Sequence, residues 1–136
     1  MQKSYDKLTS SKTLYEIGNY TDSASLAYYS MFLMAKALLR KKGFDAKTHQ
    51  GLINLFSLKF VYGQDFDHGI YANFAASQSI REDADYSAND CINQEIAEEV
   101  IAHAEEFLIE AERFLLNNNE ICEIFFSSNL LKLNIG

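Results

Sequence analysis

Arg81 is the residue whose position most demands a chemical explanation. Phe66, Ile70, Phe74 and Ser77 recur at spacings of three and four, which marks one face of a helix, and Arg81 is the next position on that stripe. A guanidinium on a core-facing stripe must be paired or face a polar cleft, because an unpaired buried charge is prohibitive. Asp85 lies four residues on, one turn away on the same face, with Glu82 and Asp83 as spare carboxylates. Two readings follow. Arg81 forms an intrahelical ion pair near the helix end, or it holds a phosphate or another anion in a cleft.

His49 is the second candidate. In Thr48-His49-Gln50-Gly51 it opens a predicted helix, where it either caps that helix or presents an imidazole at a cleft. The other two histidines, His68 in a polar loop and His103, stand apart from it, and this scatter predicts no metal site. Cys91 and Cys122 match no metal or redox spacing and read as free thiols in a reducing compartment. No nucleophile elbow, P-loop or dinucleotide fingerprint is present, so no cofactor is expected. Lys36, Arg40, Lys41, Lys42 and Lys47 form the one positive group. They read as a solvated helix end, or as a contact for RNA or an acidic partner.

The elements that position these residues are helices. The 136 residues suffice for one domain with a real core, and 48% hydrophobic with 23% charged residues excludes a disordered chain. No proline and only six glycines leave long helices uninterrupted. A net charge of −7 disfavours RNA as a general partner. The first residues lack an apolar signal core, and the longest uncharged apolar stretch, 23–35, is too short to span a bilayer. The expectation is a soluble, cytoplasmic protein in which the Asn19-Tyr20-Thr21 sequon is coincidental.

Five helices are expected, over about 5–17, 21–42, 50–62, 66–86 and 93–116. Thr21, Asp22 and Ser23 are the N-cap candidates of the second, and Gly43 is its left-handed stop. The second helix is apolar nearly all round and belongs at the centre of a bundle or in an oligomer interface. The third carries Leu52, Phe56 and Phe60 at spacings of four. The fifth sets Ile96, Val100, Ala104, Phe107, Ala111 and Phe114 on one face, with Glu95, Glu98, Glu99, Glu105, Glu106 and Glu112 on the other. The fold expected is an all-α, antiparallel up-and-down bundle of four to five helices. It occupies residues 1–117, and residues 118–136 form an apolar C-terminal extension that either closes the bundle as a short helix or docks on another chain.

Gly18-Asn19-Tyr20, then Ala24 to Tyr28-Tyr29 with Phe32, then Ala37-Leu38-Leu39, resemble the opening of HEPN domains. Lys47-Thr48-His49-x-Gly51 with Phe56, Phe60 and Val61 resembles their next segment. Arg81-Glu82-Asp83-Ala84-Asp85-Tyr86 matches the R-x-x-A-D-Y signature of the UPF0332 branch, and Ala104-Glu105-Glu106-Phe107 resembles the closing helix. The resemblance implies a homodimer, often paired with a minimal nucleotidyltransferase as a toxin–antitoxin system. It also implies that active relatives are metal-independent ribonucleases using an Arg-x(4–6)-His motif at the dimer interface. This chain departs there. Positions 86 to 88 are Tyr86, Ser87 and Ala88, and Arg40 to His49 has eight intervening residues. Asp85 and Tyr86 stand where the proton-handling group is expected, and neither substitutes for imidazole near neutral pH. The implied function is therefore a HEPN subunit that dimerises and docks a nucleotidyltransferase, with Arg81, Asp85 and His49 binding a ligand. In that setting Tyr86 is the candidate for adenylylation by the partner. The alternative is a divergent ribonuclease toxin acting through Arg81, Asp85 and Tyr86, with His49 as a further member.

Overall fold

The computed structural model describes residues 1–86 and 92–118, without the side chains of 83–86. It is an all-α bundle of five helices: α1 (Gln2–Glu16), α2 (Tyr20–Lys41), α3 (His49–Phe56), α4 (His68–Tyr86) and α5 (Gln94–Asn117). No described helix is long and apolar enough to cross a membrane.

Helix α2 organises the rest. Ala27, Tyr28, Met31, Met34, Ala35, Leu38 and Leu39 point in different directions around it and are all buried, so it packs against α1, α3, α4 and α5 at once. The contact with α1 is made close by small residues. Ser11 Oγ donates to the Ser23 carbonyl at 2.6 Å and Ser23 Oγ donates to the Ser11 carbonyl at 2.8 Å, so each helix satisfies the buried hydroxyl of the other. On the opposite side lies an aromatic core. Phe74 and Phe66 meet Phe107 of α5 at 4.9 and 4.8 Å, and Phe66 meets Phe56 edge-on at 5.0 Å.

The helix boundaries follow from caps that spacing alone did not single out. Asn19, not Thr21, Asp22 or Ser23, caps α2: its Oδ1 accepts from Asp22 N, and its amide group donates to the Asp22 carboxylate at 2.9 Å. Gly43 ends α2 at φ +88°, as a left-handed stop requires. Asp67 caps α4 by accepting from Ile70 N at 2.9 Å, so the helix expected from residue 66 starts at His68, which is its first residue and not part of a polar loop. The expected helix over 50–62 begins one residue earlier and changes at Ser57 into a wider π-helical turn, Ser57–Val61, closed by Tyr62 N donating to the Ser57 carbonyl. Phe56 and Phe60 still stack, 4.6 Å apart and nearly parallel, with both rings buried. The positive group at the end of α2 is partly tied down. Lys42 reaches Asp65 at 2.8 Å and the Lys59 carbonyl at 2.9 Å, and lies 4.1 Å above the Phe60 ring, while Arg40 meets Asp45 at 3.5 Å.

The acidic face of α5 differs from the expectation at one position. Glu95, Glu98, Glu99 and Glu106 are exposed and Glu105 is half-buried, but Glu112 is only 1% exposed. The reason is α1, which packs against α5 as well as α2 and covers a second side of that helix near its end. The Tyr5 hydroxyl of α1 donates to Glu112 Oε1, and Oε2 is buried without a hydrogen-bond partner among the described residues. Burial pushes the Glu112 carboxyl up to about 7. Of the extension expected at 118–136 only Asn118 is described; the rest, together with Cys91 and Cys122, lies outside the described residues.

Because its folded-state value lies above the unfolded one, Glu112 favours the folded protein least above pH 7. Its penalty is absent below about pH 4.5 and grows as pH rises between the two values. Glu112→Gln keeps the acceptor for Tyr5 and removes the titration. Urea denaturation at pH 5 and pH 8 should find the variant more stable than the parent at pH 8, by on the order of 1–3 kcal/mol, and little different at pH 5.

Candidate functional site

Three helices bring the candidate residues together. Thr48 is the N-cap of α3, its Oγ1 accepting from Gly51 N at 2.9 Å, so Thr48 rather than His49 performs the capping. A Cβ on Gly51 would stand 2.8 Å from that oxygen, which explains a glycine within the first turn. His49 is thereby the first residue of α3, and its ring is turned onto α2. It stacks on Phe32 with centroids 4.0 Å apart and planes within 14°, and its Nδ1 lies 3.1 Å from the Tyr28 hydroxyl. Tyr29 completes the aromatic surround at 6.3 Å.

Arg81 arrives from α4. Its guanidinium carbon lies 5.8 Å from the centroid of the Tyr28 ring, within cation–π range, and the residue is half-buried. Tyr28 therefore touches both candidates: its ring faces Arg81 and its hydroxyl faces His49. The side chains of Asp85 and Tyr86 lie outside the described residues, although both positions belong to α4.

Among the described residues, two cations and one carboxylate act on His49. Burial holds the His49 imidazole below its ordinary value, and the charges of Arg81 and Lys36 act in the same direction against Glu82. Burial pushes the Tyr28 phenol well above its ordinary range, with Arg81 opposing. At neutral pH His49 and Tyr28 are both uncharged, which leaves Arg81 and Lys36 as the cations of the site. A guanidinium has five N–H donors in a fixed planar fork.

Spacing singles out Arg81 and His49 separately, and Tyr28 only as part of the stretch that resembles a HEPN opening. The signal available for Tyr28 was chemical: a tyrosine on an all-round apolar helix needs a partner for its hydroxyl. A cavity of about 530 Å³ lies elsewhere, lined by Asp65, Asp67, His68, Glu110 and Arg113 among others. It is about 20 Å along α4 from Arg81. Several of its polar groups are committed to one another: Arg113 pairs with Glu110, and Glu110 accepts from Asp67 N at 2.9 Å. No group of three or more His, Cys, Asp or Glu able to hold a metal ion is found among the described residues.

The family model of the HEPN domain matches residues 1–114. A Methanocaldococcus jannaschii protein named "Putative toxin" is 30% identical over 119 residues, 88% of this chain and 81% of its own length. A second protein of that name and organism is 38% identical over 104 residues, 76% of each chain. A UPF0332 protein of Archaeoglobus fulgidus is 29% identical over 119 residues, 87% of this chain and 94% of its own.

Proton NMR of the His49 ring should give a titration midpoint below that of an unperturbed histidine. Arg81→Gln should move it up and Glu82→Gln should move it further down, since one charge is removed from each side of the balance. Gly51→Ala should cost about 1 kcal/mol in denaturant titration, through loss of the Thr48 cap, and should broaden the His49 signals.

Proposed function

The chain belongs to the HEPN family, in its UPF0332 branch, and on that premise we propose that it is the HEPN subunit of a toxin–antitoxin-type pair. It dimerises, holds a minimal nucleotidyltransferase as its partner, and binds a phosphate-bearing ligand at Arg81 and His49 without turning it over. One observation carries the ligand site. Arg81 is held over the buried ring of Tyr28, beside an imidazole that is neutral at pH 7, with Lys36 adding positive potential. A planar guanidinium fixed on an aromatic ring is suited to bidentate contact with phosphate oxygens. The absence of a histidine four to six residues after Arg81 favours binding over cleavage. The relatives named "Putative toxin" support the toxin–antitoxin setting.

A second reading has one specific observation in its favour. His49 supplies an imidazole near Arg81 from a different helix, so a divergent metal-independent ribonuclease would have an arginine and a histidine at hand.

Pull-down of the tagged protein from its native host, followed by mass spectrometry, should recover a nucleotidyltransferase in near-stoichiometric amount. Size-exclusion chromatography with light scattering should report twice the chain mass for the protein alone. Recovery of RNA in place of the nucleotidyltransferase, with growth arrest on expression that Arg81→Ala relieves, would instead establish the ribonuclease.

A further inference from the structure

We propose that Tyr28 is a positioning residue: its buried hydroxyl donates to His49 Nδ1, which puts the imidazole proton on Nε2 and leaves that N–H as a neutral donor for the phosphate-bearing ligand. This rests on the ligand site proposed above and names how one of its two residues works.

The argument begins with the hydroxyl. Tyr28 is fully buried, and the partner its oxygen finds is His49 Nδ1 at 3.1 Å. A buried O–H needs an acceptor, and Nδ1 is the one it meets among the described residues, so the favoured arrangement has the O–H donating and the ring nitrogen accepting. The ring cannot readily turn to exchange its nitrogens, because Phe32 is stacked on it at 4.0 Å and 14°. Nε2 then carries the proton, and it has no hydrogen-bond partner among the described residues. Among the described residues, the charged groups facing the ring come from two elements, Lys36 on α2 and Arg81 with Glu82 on α4. Two cations against one carboxylate, with burial, keep a second proton off. His49 is therefore a donor without being a cation. Arg81 supplies charge and His49 supplies direction. The same tautomer is the wrong one for a base acting through Nε2, because a base needs a lone pair there.

The test uses the full chain labelled with ¹⁵N-histidine and long-range ¹H–¹⁵N NMR, which separates protonated from bare ring nitrogens. The probes are adenosine 5′-monophosphate and inorganic phosphate. The expected result is a protonated Nε2 and a bare Nδ1 in the parent at pH 7.5. Tyr28→Phe keeps the ring under Arg81 and should give mixed tautomers, with affinity for the monophosphate about three- to tenfold weaker. His49→Gln retains an amide donor of similar reach and should hold affinity within about threefold, whereas His49→Phe should lose about tenfold or more. A merely structural role for Tyr28 would leave the tautomer unchanged. A protonated Nδ1 in the parent, or a Tyr28→Phe variant with parental tautomer and affinity, would overturn the inference while leaving the ligand site standing. If neither anion shifts any signal from α2, α3 or α4, and Arg81→Gln changes nothing, the ligand site itself fails and the inference falls with it.

Discussion

Most of the circumference of helix α2 is apolar and turned inward, and the remainder of the molecule is arranged to cover it, leaving one half-exposed stripe through Tyr29, Leu33 and Lys36. A helix with one apolar stripe can rest on a surface, but one that is apolar around its circumference needs neighbours on every side. The other helices supply them on all but that stripe, each through contacts matched to the local side chains. Small residues and reciprocal serine bonds serve toward α1, and a phenylalanine cluster links α3, α4 and α5 beside it. Polar groups that enter this enclosure must find partners inside it. Tyr28 does so through His49, and Glu112 does so with only one of its oxygens, through Tyr5.

That constraint also explains where the candidate site lies. The covering helices have to approach α2 closely, so residues on their inner faces meet over its surface. Arg81 and His49 are 32 positions apart in the chain yet share Tyr28 as a common floor. The arrangement joins a cation held on an aromatic face to an imidazole of fixed orientation, and in both cases the restraint comes from burial rather than from a local sequence pattern.

Much of the fold could be read from residue types and spacing. The stripes through Phe74, Phe56 and Phe107 face the core, although Ile70, Ile96 and Phe114 on them are only partly buried, and Gly43 stops its helix with the backbone geometry expected. Periodicity was less informative about caps, because any of several polar residues before a helix can serve. Asn19 and Asp67 were distinguished only by the backbone amides they reach. The wheel of α5 put Glu112 among the exposed glutamates because a helical wheel knows nothing of a second neighbour, and α1 is that neighbour. At the candidate site, Arg81 stood out because a charge interrupted an apolar stripe. Its juxtaposition with Tyr28 and His49 is a property of packing between helices, which no spacing along one helix encodes.

A pair of residues spaced along one helix loses its alignment with a single inserted residue, since each step rotates the side chain by about 100°. Arg81 and His49 are instead anchored separately, by α4 and by the capped start of α3, against a shared surface on α2. The connections between these helices can change in length without altering which side chains meet, provided the inner faces keep their register on α2. A site of this kind tolerates the insertions and deletions that accumulate in loops. Its vulnerability lies in the core, where a change of volume at Phe32 or Tyr28 would displace both halves at once.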